Sequence, residues 1–89
     1  MTESKESSEA FAFVLINIEI DSNERIIQAL KTIPEVKEAY QLYGVYDIIA
    51  RVESDTMLNL KDAINRIRQL EKVRSTLTMI VTHEEKRES

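Results

Sequence analysis

Cysteine is missing from this 89-residue chain, which also holds one glycine, one proline and one histidine. Without cysteine there are no disulfides and no thiolate metal sites. One glycine is too few for a glycine-rich phosphate loop. The only histidine, His83, stands beside Glu84 and Glu85, where solvation is its ordinary state. No cluster has metal-ligand spacing, so neither a metal nor an organic cofactor is expected. A basic excess is also missing, since 12 Lys and Arg against 16 Asp and Glu leave a formal charge of −4. That balance argues against direct nucleic-acid binding. No apolar run approaches the ~20 residues of a membrane span. Met1 to Ala10 is polar and acidic, unlike a signal peptide, so a cytoplasmic location is expected. The scarcity of Gly and Pro with many charges suits a thermophile, a weak inference.

The composition, 43% apolar and 31% charged, is that of a globular chain rather than a disordered one. The length allows one domain with a modest core. Assembly with further copies is a ready way for so small a domain to gain burial. Residues 1–10 and 84–89 read as frayed polar tails around a domain over 11–83.

Within that domain the apolar period changes four times. Phe11 to Ile20 alternates, with Val14, Ile16, Ile18 and Ile20 on one face and Phe13, Leu15, Asn17 and Glu19 on the other, which predicts a strand. Asp21-Ser22-Asn23-Glu24 resembles a capping box, opening a helix with Ile26, Ile27, Ala29, Leu30 and Ile33 on one stripe. Pro34 stops it. Val36 to Tyr43 and Tyr46 to Glu53 read as a hairpin about a tight Gly44-Val45 turn. Ser54 and Asp55 offer a cap for a second helix carrying Met57, Leu60, Ala63, Ile64 and Ile67. Val73 to about His83 is a last strand.

The order is βαββαβ. It predicts an α+β, ferredoxin-like fold: a four-stranded antiparallel sheet with both helices on one face. The open face is expected to carry Phe13, Leu15, Asn17, Glu19, Asp47, Ile49, Arg51, Glu53, Thr76, Thr78 and Ile80. A partly apolar open face points to dimerisation through the sheets.

Two segments stand out chemically. Tyr43-Gly44-Val45-Tyr46-Asp47 crowds two tyrosines, the only glycine and a carboxylate. Gly44 allows unusual backbone angles and close approach of a ligand, and Asp47 could accept from an ammonium. An ordinary turn with Asp47 in water fits the same residues. On the last strand, alternate Thr76 and Thr78 share a face and could hold a carboxylate, although threonine is also simply a good strand residue.

Ile33-Pro34-Glu35-Val36, Ala39-Tyr40, Tyr43-Gly44-Val45-Tyr46-Asp47 and Val73-Arg74-Ser75-Thr76 together resemble the effector-binding (RAM) domain of the Lrp/AsnC transcription regulators. The resemblance covers about residues 12–83. It implies dimerisation through the sheets, higher rings, often octamers, and amino acids bound between dimers. It places ligand binding on Tyr43, Gly44, Val45, Tyr46 and Asp47 of the turn and on Ser75, Thr76 and Thr78 of the last strand. Full-length members carry an N-terminal helix-turn-helix. With only Met1 to Ala10 before the first strand, a stand-alone sensing half is expected, one that reaches transcription through partner regulators. A small dimeric enzyme and a ligand-free structural oligomer remain as alternatives, the enzyme disfavoured by the lack of catalytic groups.

Overall fold

The computed structural model describes residues 10–82. Residues 1–9 and 83–89, His83 among them, lie outside the described residues, while Ala10, expected in the N-terminal tail, is buried at the start of the first strand. Six elements follow in the expected order: β1 (Ala10–Ile18), α1 (Asn23–Leu30), β2 (Val36–Gln41), β3 (Ile48–Ser54), α2 (Met57–Arg68) and β4 (Val73–Val81). The strands form one sheet in the order β2-β3-β1-β4, and every neighbouring pair is antiparallel. The fold is ferredoxin-like α+β.

The core grows from the period-2 face of β1. Ala10, Ala12, Val14, Ile16 and Ile18 are buried, and so are Ile48, Ala50 and Val52 of β3. Ile26 and Leu30 of α1 and Leu60, Ala63, Ile64 and Ile67 of α2 join the same cluster. Both helices therefore cover one sheet face. Each fully buried Ile or Leu here contributes roughly 1.5–3 kcal/mol of transfer free energy.

The ends of the elements differ from the sequence-based expectation for physical reasons. β1 stops at Ile18, and Ile20 is 91% exposed rather than on the core face. The β1–β4 register slips between Asn17 and Ile18, and Asp21 takes a left-handed φ of 64°. These breaks end the alternation that would bury Ile20. The capping box does not form, because the Ser22 hydroxyl donates back to the Glu19 carbonyl instead of accepting from the helix. α2 is capped by Thr56, one residue beyond Asp55; its Oγ1 accepts from the Asn59 N–H at 3.1 Å. The hairpin connection is a wider loop over residues 42–47. It is closed by the Leu42 N–H donating to the Asp47 carbonyl at 2.8 Å.

One correction concerns the open face. Thr76, Thr78 and Ile80 pair with Ile16, Val14 and Ala12, so they lie on the helix-covered face. Ser75, Leu77, Met79 and Val81 pair with Asn17, Leu15, Phe13 and Phe11 and take the open face instead. β4 is an edge strand beside α2, where half-buried threonines are tolerated, and its alternation reads equally well in either phase. The open face holds Phe11, Phe13, Leu15, Ile49, Leu77 and Met79. The two phenylalanines meet edge to face at 5.9 Å, and Arg51 lies 5.3 Å over the Phe11 ring.

Candidate functional site

The site begins at the break in β1. The Asp47 N–H donates to the Ile16 carbonyl at 3.0 Å, one residue out of step with the Ile16–Ile48 pairing, which docks the last loop residue before β3 against the end of β1. Asn17 pairs with Ser75 across β1 and β4, and both share one cleft with Asp47. Asp47 of the loop before β3, Asn17 of β1 and Ser75 of β4 thus form a polar row at one end of an otherwise apolar face. Asp47 Oδ2 also accepts from the Ile18 N–H at 2.9 Å, satisfying the donor that the register slip would otherwise orphan. The second carboxylate oxygen remains for another donor.

An open cleft of about 360 Å³ lies over this row, lined by Asn17, Ile18, Asp47, Arg74 and Ser75. It sets a carboxylate and a guanidinium on one small site, with an amide and a hydroxyl between. Such a set can take a small ligand carrying a cation at one end and a carboxylate at the other.

Two of the eight expected ligand-binding residues, Asp47 and Ser75, line this cleft. Tyr43, Gly44 and Val45 project into solvent at the loop tip, Val45 at 84% exposure, and Tyr46 is half-buried. Gly44 does not adopt a positive φ, and a Cβ there would meet nothing within 4 Å. The glycine is therefore not required by the backbone of this chain, contrary to the expectation. Thr76 opens on a second cleft of about 240 Å³ with Arg68, Val73, Arg74 and Ser75. Thr78 opens on a third of about 290 Å³ with Lys61, Ile64, Asn65, Arg68 and Ile80. Both threonines face α2, so one chain does not bring them to the Asp47 cleft.

Asn17, Ile18 and Arg74 line the cleft but were not among the expected ligand-binding residues. Asn17 carried a usable signal: it is the first polar residue on a β1 face that reads Phe11, Phe13, Leu15. Arg74 lies in the Val73-Arg74-Ser75-Thr76 segment that carried the resemblance, although no binding role was expected of it; Ile18 carried no signal, because the register slip decides its place. Among the described residues no group of His, Cys, Asp or Glu could hold a metal ion, and no helix is long and apolar enough to cross a membrane.

The chain matches a known family. Residues 11–89 fit the family model described as the Lrp/AsnC ligand binding domain. The chain belongs to this family. Among curated relatives, it is 37% identical over 70 residues to a homocitrate synthase of Sulfurisphaera tokodaii, covering 75% of the chain and 15% of that enzyme. It is 29% identical over 70 residues to the HTH-type transcriptional regulator FL11 of Pyrococcus furiosus, covering 79% of the chain and 46% of the regulator. Among solved structures, FFRP-DM1 matches with a TM-score of 0.77 and 38% identity over 81% of this chain and 97% of that one.

The chain therefore spans less than half the length of these curated relatives. The homocitrate synthase match is confined to a small part of that enzyme and assigns no catalysis here. Lrp/AsnC ligand-binding domains are regulatory modules, not enzymes; they bind small-molecule effectors and form oligomers.

Proposed function

We propose that this Lrp/AsnC domain is an amino-acid sensor whose effector occupies the Asp47–Arg74 cleft. The observation that carries the reading is the pairing of opposite charges across one small site. Asp47 accepts from the α-ammonium through the oxygen that Ile18 leaves unused, and the Arg74 guanidinium takes the α-carboxylate. Occurrence of related sequence within both a regulator and an enzyme supports a portable sensing module. Copies associate through the open sheet face, and dimers build a ring of octamer type. Tyr43, Val45, Thr76 and Thr78, which face away from the cleft within one chain, then become available to a neighbour's ligand. The domain acts in the cytoplasm on transcription of amino-acid metabolism through full-length Lrp/AsnC regulators.

Calorimetry against the twenty amino acids tests the sensor. At least one should bind, and Asp47→Asn should weaken it roughly 10- to 100-fold, the range for losing a charged hydrogen bond. Arg74→Met should act in the same direction. Absence of binding by every amino acid, or affinity indifferent to both substitutions, overturns the reading.

A further inference from the structure

If the two charged ends of an amino acid are held as proposed above, the same cleft also limits its side chain. We infer that Asn17 is the specificity-determining residue of the cleft, and that the effector is an amino acid with a short, uncharged, polar side chain. The inference rests on the amino-acid reading and goes beyond it to the class of effector.

The argument is geometric first. Asn17 shares the cleft with Asp47, Arg74 and Ser75. It pairs with Ser75 on the adjacent strand, about 4.8 Å away, so the two side chains lie next to each other. In an amino acid the side chain branches from the carbon between ammonium and carboxylate. With those groups directed to Asp47 and Arg74, the polar lining left to meet the branch is Asn17 and Ser75. Among the described residues the Asn17 amide makes no side-chain hydrogen bond, and it is half-buried. It is therefore available to a ligand, with two donors and one acceptor.

Chemistry then decides the class. The cleft's one apolar side chain, Ile18, is only 7% exposed and offers little apolar contact. A leucine or phenylalanine side chain set on this row would strip water from an amide and a hydroxyl without replacing their hydrogen bonds. Sites built to hydrogen-bond a substrate reject analogues that lack the group. A charged side chain fares no better, since the two charges of the lining are already engaged by the ligand's ends. A hydroxyl or carboxamide on one or two carbons satisfies the row.

Competition calorimetry with glycine, serine, asparagine, leucine and phenylalanine tests this, on the native chain and on Asn17→Leu. Glycine, which has the two charged ends and no side chain, reports the shared part of the site. Serine or asparagine should bind at least about tenfold more tightly than leucine and phenylalanine, equivalent to ~1.4 kcal/mol. Asn17→Leu should abolish or invert that order while leaving glycine affinity within about twofold. Should Asn17→Leu also lose glycine, the smaller Asn17→Ala must keep glycine and lose the preference. Glycine binding with no polar preference, or a preference unchanged in both variants, overturns the inference and leaves the sensor standing. No heat with any of the five overturns the inference, and the sensor falls with it only when the other fifteen amino acids also fail to bind.

Discussion

Asp47 has two roles that substitutions can separate. Its Oδ2 satisfies the Ile18 N–H at the slip in β1, and its charge faces the cleft. Asp47→Asn keeps an oxygen for that N–H and removes the charge. Asp47→Ala removes both and leaves a part-buried donor unsatisfied, at a cost of about 1–3 kcal/mol. Urea unfolding should show Asp47→Ala clearly destabilised and Asp47→Asn near native, while both lose amino-acid affinity. Equal stability of all three chains would mean that the Ile18 bond is immaterial. At the other side of the same sheet end, Lys72 holds φ at 80° without being glycine. Its carbonyl accepts from the Glu19 N–H at 2.9 Å, which holds the α2–β4 turn in that conformation. Relief of left-handed strain, about 1–2 kcal/mol, exceeds the entropic cost of glycine, about 0.5–1 kcal/mol. The exposed Lys72–Glu19 ion pair adds little. Lys72→Gly should raise the melting temperature slightly, and a fall would show that the strain is absent.

At the scale of elements, the two helices begin differently although both starts looked capped. Thr56 accepts from Asn59, whereas Ser22 turns back to Glu19. Thr56→Ala should therefore cost about 1 kcal/mol in chemical denaturation. The helices were legible because their apolar stripes repeat at 3.6 residues, a property of each segment alone. Their exact starts were not, since Ser54, Asp55 and Thr56 are all competent caps and the course of β3 chooses among them. Arg66 shows how the choice is held. It pairs with Glu35 at 2.9 Å and with Asp62 at 3.6 Å, tying α2 to the turn before β2. The core supports both helices, and Leu60→Ala should cost about 2–5 kcal/mol by the same measurement.

At the scale of the molecule, the open face has one apolar part and one polar end. Leu77 and Met79 are nearly half exposed there beside Phe13 and Leu15. A patch of this kind on a small domain marks an interface, and membership of an oligomer-forming family agrees with it. The double variant Leu77→Glu, Met79→Glu places four like charges across a two-fold sheet contact. Light scattering should find the native chain as an oligomer and this variant reduced to monomer, with the fold retained by circular dichroism. A native monomer at micromolar concentration would refute the sheet-to-sheet dimer.

The order of elements, the core face of β1 and the stripes of α1 and α2 are determined by the sequence itself. They are periodicities, and a period is written in neighbouring residues. The phase of β4 is not of that kind. Its two faces, Thr76-Thr78-Ile80 and Ser75-Leu77-Met79, are both compatible with a strand, and a shift of one residue exchanges them. Only pairing with β1 chose, turning two expected ligand hydroxyls toward α2 and Ser75 toward Asp47. The cleft is likewise a product of tertiary structure. Asn17 of β1, Asp47 of the loop before β3 and Ser75 of β4 are far apart in the chain, and only the folded sheet brings them to one cleft.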